Sequence, residues 1–263
     1  LEAGLQEWDI SRDAPYFGFE IPNAPGKFFY VWLDAPIGYM ASFKNYCENN
    51  PKAKDLDFDD FWQKDQAAKQ GTELYHFIGK DIINFHGLFW PAMLHACNLR
   101  LPSAIFAHGF VMINGEKMSK SLGNVVDPIS LADAFGVDQL RYFLLSDVVF
   151  GKDGTYSPEM IVTKTNADLA NNFGNLAQRS LSMIAKKCDG KIPAAGAATD
   201  AETRLLAELA TCFDQICGFM TSGSFQIDAA IDVIRERLSA TNQYFADQAP
   251  WALRKTDPDR ADS

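Results

Sequence analysis

The sequence predicts an α/β half followed by a helical bundle, and two patterns support this division. Before about residue 155, apolar runs rich in aromatic and β-branched residues alternate with helical patterns, which is typical of an α/β layer. The runs at 28–33 and 104–113 predict strands, and the pattern at 82–99 predicts a buried helix. Beyond residue 155 only helical periodicity remains, so we expect domains at 1–155 and 156–263.

The predicted bundle begins with Ser157 and Pro158, a residue pair typical of a helix N-cap and first turn. That helix is expected to run to about residue 187, followed by a small-residue linker at 190–200. Two more helices are expected at 202–220 and 225–245. The last one places an apolar stripe on one face, formed by Ile227, Ile231, Ile234 and Leu238.

Composition excludes several classes of protein. No apolar run reaches the roughly 18 residues that a membrane span needs, so no membrane partner is expected. The cysteines number five, lack zinc-ligand spacing and indicate reduced thiols in a cytoplasmic protein. A formal net charge of -10 argues against a general nucleic-acid coat, although a local basic face can still dock an RNA.

The segment "GEKMSKSLGN", residues 115–124, places two lysines between glycines in this acidic chain. Lys117 and Lys120 could meet a specific anion, because an ammonium reaches phosphate oxygens without needing a fixed fork geometry. Considered alone, the segment could equally be a solvated charged turn.

Three segments together carry a resemblance to a known family. "KMSKS" (117–121) is similar to the signature loop of class I aminoacyl-tRNA synthetases. With "FYVWLDAPIGY" (29–39) and "FIGKDIINFHGLFWPAML" (77–94), essentially the whole chain resembles the bacterial methionyl-tRNA synthetases. The resemblance implies the C-terminal half of a Rossmann-type nucleotide-binding domain followed by an α-helical anticodon-binding bundle. It also implies ligation of methionine to tRNA(Met) through an adenylate.

The resemblance assigns an ATP site, with Mg²⁺ accompanying the nucleotide. Lys120 would be the main phosphate contact with Lys117 assisting, Ser119 and Ser121 would shape the loop, and Gly115 and Gly123 would be hinges. Gly79 and Asp81 would meet the ribose and adenine region, and Val111 would line the adenine pocket. Asp81 could also be an ordinary helix N-cap.

The resemblance also assigns a methionine pocket, which should be apolar, aromatic and suited to a thioether. Ile82 and His86 are four residues apart and would share one helical face. Without the resemblance, such residues are more often plain core. The residues that match the family's pocket are Trp32, Ala35, Pro36, Tyr39, Ile82 and His86.

Basic charge is concentrated in the predicted bundle. Residues 163–193 contain five basic and two acidic residues, a net charge of +3. Asn175 and Arg179 would lie on one helical face and Trp251 at a helix end, where they could bind and stack unpaired bases. In the family the matching positions read the CAU anticodon. If each residue is considered alone, the simpler interpretation is a surface ion pair for Arg179 and core packing at a helix end for Trp251.

One family element is missing from the sequence. The histidines at 76, 86, 95 and 108 form no His-x-Gly-His element, which holds ATP in class I synthetases. We therefore expect the first half of the nucleotide-binding fold, and any zinc knuckle, to precede Leu1, and the final bundle helix to be absent as well. No zinc ligands are expected in this chain.

Two alternatives remain open. The first is a tRNA-binding or assembly module derived from a synthetase, and the second is another enzyme of the same superfold, such as an isoleucyl, leucyl or cysteinyl synthetase or an adenylyltransferase. The "VWLDAPIGY" segment and the "NLAQR" and "PW" pair argue against the second.

Overall fold

The structure is a computed structural model that describes residues 4, 7–113, 115–118, 123–221 and 225–262. The chain divides into two compact units, Leu1–His108 (unit 1) and Gly109–Ser263 (unit 2). Among the described residues, no helix combines the length and apolar character that crossing a bilayer requires.

Unit 1 contains two small sheets with helices around them. The first pairs β1 with β2 in antiparallel fashion. The second pairs β3 with β4 in parallel, so that Tyr75 lies opposite Ala104 and Gly79 opposite His108. Its strands are β1 (Ser11–Asp13), β2 (Lys27–Phe29), β3 (Tyr75–Gly79) and β4 (Ala104–His108). Its α-helices are α1 (Val31–Asp34), α2 (Ile37–Asn49), α3 (Phe58–Trp62), α4 (Lys64–Gln70) and α5 (Trp90–Ala96). Short 3₁₀ turns occur at Pro51–Ala53 and Lys80–Ile82, and a π-helical turn at Phe85–Phe89.

The core of unit 1 is formed by Trp62, Trp90 and Leu94, all nearly inaccessible to solvent. The two indoles meet edge to face, with ring centroids 6.3 Å apart. Because both rings are large and buried, this cluster ties α3 to α5 and anchors the end of the π-helical turn that carries His86.

Unit 2 combines a three-stranded sheet with a set of helices. In the sheet, β5 pairs with β6 in antiparallel fashion and with β7 in parallel. The strands are β5 (Val111–Ile113), β6 (Glu116–Lys117) and β7 (Gly154–Tyr156). The first helices are α6 (Pro128–Phe135), α7 (Val137–Ser146), α8 (Pro158–Lys164), a π-helical segment (Thr165–Gly174) and α9 (Asn175–Lys187). The remaining helices are α10 (Asp200–Ala210), α11 (Cys212–Phe219), α12 (Ile227–Gln248), α13 (Pro250–Leu253) and α14 (Pro258–Asp262).

The strand predictions are partly wrong. Residues 31–33 of the predicted strand 28–33 belong to helix α1, because β2 has a partner only along its three residues. The predicted strand 104–113 is broken after His108. At Gly109 a Cβ atom would lie 2.1 Å from the carbonyl oxygen of Lys152, so this close backbone approach requires glycine.

The predicted N-cap of the bundle is confirmed, since the Ser157 hydroxyl accepts a hydrogen bond from the Met160 amide at 3.3 Å. The helix that follows reaches residue 187 as predicted, but its middle is the π-helical segment. The predicted helix at 202–220 is interrupted at Thr211. The predicted stripe on α12 is wrong at Ile234, which is 43% exposed, whereas Ala230 and Val233 are buried.

Candidate functional site

Aromatic residues gather around one buried histidine in unit 1. The Trp32 ring of α1 stacks on Phe85 with centroids 4.9 Å apart and meets His86 edge-on at 5.8 Å. His86 is fully buried within the π-helical turn that precedes α5. The fold therefore gathers an indole, a phenyl ring and an imidazole at one place.

Hydrogen bonds fix the protonation pattern of His86. Its Nδ1 lies 3.1 Å from the Ile82 carbonyl oxygen, and its Nε2 lies 2.9 Å from the Tyr39 hydroxyl. A carbonyl only accepts, so Nδ1 carries a proton, and in the neutral ring Nε2 accepts the hydroxyl proton of Tyr39. Tyr39 is 41% exposed, and this hydrogen bond gives its hydroxyl a defined direction.

The other predicted residues of this site differ in exposure. Pro36 is fully buried at the start of α2, whereas Ala35 is exposed beside it. Ile82 is half-buried and meets His86 through its carbonyl oxygen, as expected for positions four apart. The structure therefore brings Trp32, Tyr39, Ile82 and His86 into one network of contacts.

His76 belongs to the same cluster, although sequence analysis assigned it no role. It is 6% exposed, and its ring lies 5.1 Å from that of Tyr39 and 5.4 Å from that of His86. Its Nε2 is buried without a hydrogen-bond partner in the described part of the chain. Burial, together with the neighbouring His86, lowers the pKa of His76 to about 4. The only signal in the sequence is a polar residue in an otherwise apolar strand.

The predicted nucleotide residues of unit 1 follow the end of β3. Gly79 is the last residue of that strand, and Asp81 lies exposed in the 3₁₀ turn after it. A Cβ atom at position 79 would lie 2.7 Å from Oδ1 of Asp81, so glycine lets this carboxylate approach the strand end. An exposed carboxylate there is suited to accepting hydrogen bonds from two neighbouring hydroxyls.

The predicted phosphate loop lies in unit 2. Val111 begins β5 and packs against the core of Leu140, Phe143, Tyr156 and Ile161. Lys117 ends β6, and its Nζ lies 3.6 Å from the centroid of the Phe110 ring. Both predicted hinge glycines, Gly115 and Gly123, have positive φ angles of 80° and 65°. Ser119, Lys120 and Ser121 lie outside the described residues.

A groove of 520 Å³ lies among the helices of unit 2, and it unites two residues predicted separately from sequence. Arg179 of α9 and Trp251 of α13 both line it, and each ring or guanidinium contacts Phe245. Trp251 is 54% exposed, which excludes core packing as its main role. The lining residues are Arg179, Ser182, Met183, Lys186, Lys187, Phe245, Trp251, Arg254 and Lys255.

This lining contains five cationic side chains and no carboxylate among the described residues. An open recess with fixed positive charge and an accessible indole favours a negatively charged, flat ligand such as an unpaired nucleotide. Asn175 is exposed one helical turn before Arg179 and contributes its carbonyl oxygen to Arg179 rather than a wall of the groove.

Two models of known families match the chain. The family model described as tRNA synthetases class I (M) matches residues 1–181. The chain belongs to this family. The model described as anticodon binding domain of methionyl tRNA ligase matches residues 192–263 of the synthetase chain.

The individual proteins to which the chain is similar are methionyl-tRNA synthetases. It is 45% identical to the methionine–tRNA ligase of Rhizobium meliloti (strain 1021), covering 99% of this chain and 47% of that protein. Methionyl-tRNA synthetase of Mycobacterium tuberculosis in complex with methionyl-adenylate is 44% identical, with a TM-score of 0.78 over 97% of this chain and 47% of the other. The apo form of that enzyme is 39% identical, with a TM-score of 0.75 over 99% of this chain and 47% of the other. The synthetase chain thus spans about half the length of these relatives.

The described residues of the synthetase chain contain no group of three or more His, Cys, Asp or Glu side chains placed to hold a metal ion. All five cysteines are described, and none of them forms a disulfide.

Proposed function

We propose that this chain forms part of a larger methionine–tRNA ligase. That enzyme would join methionine to tRNA(Met) through an enzyme-bound methionyl-adenylate, converting ATP to AMP and pyrophosphate. Within it, residues 1–155 would be the C-terminal half of the catalytic domain and residues 156–263 the anticodon-binding domain. The odd number and wide spacing of the cysteines favour the cytoplasm as its compartment.

The observation that carries the proposal is the groove of unit 2. Arg179 and Trp251 are 72 positions apart in the sequence, yet they line one recess with Lys186, Lys187, Arg254 and Lys255. Stacking on the exposed indole would hold a splayed base, and the cations would neutralise the adjoining phosphates. Asn175, exposed beside the groove, would add a hydrogen bond to the same RNA.

The proposed methionine site is the cluster around His86. Trp32, Ala35, Pro36 and Ile82 would supply apolar walls, and a thioether packs favourably against aromatic rings. The Tyr39 oxygen donates its proton to His86, so it presents lone pairs and ring edge, rather than a competing O–H, to the ligand. Selection against shorter side chains would then come from filling the pocket.

Five residues are proposed to contact ATP. Gly79 and Asp81 would bind the ribose, Val111 would line the adenine pocket, and Lys117 and Lys120 would stabilise the phosphate charge that develops during adenylate formation. Mg²⁺ would arrive on the ATP phosphates and keep several of its water ligands, as it usually does in nucleotide sites.

Binding of an RNA hairpin tests the proposal directly on this chain. A stem-loop with a CAU anticodon is expected to bind more tightly than the same stem with a GAU or CUU loop. A single mismatch should weaken binding by roughly 5- to 100-fold, because each base contact is worth about 1–3 kcal/mol. Fluorescence anisotropy at fixed salt measures both affinities. Equal affinities for all three loops would contradict an anticodon role.

Absence of catalysis by the isolated chain is a second expectation. The sequence lacks a His-x-Gly-His element, so we expect no methionine-dependent exchange between ATP and pyrophosphate from these 263 residues alone. This observation also favours the alternative that the chain, on its own, acts only as a tRNA-binding module. Exchange at the rate of an intact synthetase would contradict the expectation.

A further inference from the structure

Arg179 is held in place before any ligand arrives. Its Nη2 donates to Oδ1 of Asn242 in a close contact, and its Nε donates to the carbonyl oxygen of Asn175 at 3.3 Å. The guanidinium carbon also lies 5.1 Å from the centroid of the Phe245 ring. These three contacts restrain a side chain that would otherwise sample many rotamers.

The amide of Asn242 has only one possible orientation. Its Nδ2 donates to the carbonyl oxygen of Asn172 at 2.9 Å, to the side-chain oxygen of Asn172 at 2.8 Å and to the carbonyl oxygen of Leu238 at 3.2 Å. Amide carbonyl oxygens only accept hydrogen bonds, so the NH₂ group must face them. The Oδ1 atom of Asn242 is therefore directed at Arg179.

The amide of Asn172 is fixed in the same way. Its Nδ2 donates to Ser239 Oγ at 2.9 Å and to the Arg235 carbonyl oxygen at 3.3 Å, leaving its own Oδ1 to accept from Asn242. Asn172 lies in the π-helical segment, whereas Arg235, Ser239 and Asn242 all lie on α12. Two oriented amides thus connect Arg179 to the backbone of a 22-residue helix.

We propose that Asn242 and Asn172 are positioning residues that hold Arg179 for base recognition in the groove, an inference that rests on the proposed function. Asn242 accepts from Nη2 of Arg179 and the Asn175 carbonyl oxygen accepts from its Nε, whereas within the described residues Nη1 has no hydrogen-bond partner. Nη1 therefore offers its two N–H groups to the acceptor edge of a base, at a set distance from Trp251. Preorganising a donor in this way raises selectivity as well as affinity.

Asn242→Ala tests this role. Affinity for the CAU stem-loop is expected to fall about tenfold, and discrimination against a single-base change in the loop should fall by a similar factor. Weak binding of an unrelated stem-loop and its salt dependence should stay unchanged, because all five cations of the groove remain. A purely structural defect would reduce binding to both RNAs. Thermal unfolding followed by circular dichroism verifies that the variant is folded.

Gln243→Ala is the matched control. Gln243 is the next residue on α12 and also carries an amide, but among the described residues it bonds only to Asp247, at 2.7 Å. Its removal should leave discrimination between loops unchanged. Asn172→Ala is the second variant, expected to cause a smaller loss in the same direction because Asn242 keeps one acceptor on its own helix, Leu238.

A double-mutant cycle separates the inference from the proposed function. If Asn242 acts through Arg179, Asn242→Ala should have no further effect on loop discrimination in an Arg179→Ala background. Additive losses would overturn the positioning role, as would full discrimination by both single asparagine variants. If the unmodified chain fails to distinguish CAU from the changed loops, the proposed function itself fails and this inference with it.

Discussion

Trp251→Ala is expected to weaken binding of a CAU stem-loop to this chain by about 10- to 100-fold, since stacking of one base on an aromatic ring is worth about 1–3 kcal/mol. The indole is 54% exposed and contacts the Phe245 ring at a centroid distance of 5.8 Å, so most of its surface is open to a ligand. The five cationic side chains of the groove are retained, and the salt dependence of the remaining binding should match that of the unmodified chain.

Two further variants identify the ring as the cause. Trp251→Phe keeps an aromatic surface and should recover part of the affinity. Phe213→Ala removes another exposed ring of unit 2, one that is 72% exposed and lies on α11, away from the groove lining, and it should leave binding unchanged. Equal losses from Trp251→Ala and Phe213→Ala would indicate a general effect of surface apolarity.

The effect of Trp251→Ala on the two catalytic steps also distinguishes a role in tRNA binding from a role in adenylate formation. In a complete synthetase that carries this chain, Trp251→Ala should raise the KM for tRNA(Met) while adenylate formation stays nearly intact. Pyrophosphate exchange and aminoacylation, measured side by side, separate these two effects. A parallel loss of both activities would count against an anticodon role for Trp251.

Sequence patterns predicted the elements that depend on local interactions. The Ser157 cap, for example, was recognisable from its residue types. Helix α1 was missed because aromatic and β-branched residues favour strands only where a neighbouring strand pairs with them. In the structure, Trp32 instead stacks on Phe85 of the π-helical turn.

Local sequence patterns could not predict which distant side chains come together in the fold. Arg179 and Trp251 were linked only through the family resemblance, and Asn242, 63 positions from Arg179, carried no signal at all. The π-helical segment was invisible because its wider backbone register leaves no distinct apolar period. At its end, a Cβ atom at Gly174 would lie 3.0 Å from the Leu169 carbonyl oxygen, a contact that only the structure reveals.

His76→Phe is expected to make unit 1 markedly less sensitive to acid. Burial and the adjacent His86 lower the pKa of His76 to about 4 in the folded chain, from an ordinary value of 6.5. Above pH 6.5 the imidazole is neutral in both states and its titration contributes nothing. Between pH 6.5 and about 4 the unfolded chain binds a proton that the folded chain does not, so stability falls as the pH falls.

The variant removes this proton uptake while retaining a ring against Tyr39 and His86. As the pH falls from 6.5 to about 4, the free energy of unfolding of the variant should therefore rise relative to that of the unmodified chain. The difference should grow by about 1.4 kcal/mol for each pH unit. At pH 7.5 the variant should be at least as stable, because the unpartnered Nε2 is gone.

Urea unfolding followed by tryptophan fluorescence measures this effect, since four of the five tryptophans, Trp8, Trp32, Trp62 and Trp90, lie in unit 1. His95→Phe is the matched control, because His95 is exposed on α5 and the substitution is chemically the same. Its stability should follow the pH dependence of the unmodified chain. If the His76→Phe curve runs parallel to that of the unmodified chain between pH 6.5 and 4.5, then His76 becomes protonated in the folded state as readily as in the unfolded one. The imidazole would in that case have access to water or to a proton acceptor, and the cluster around His86 would not exclude charge.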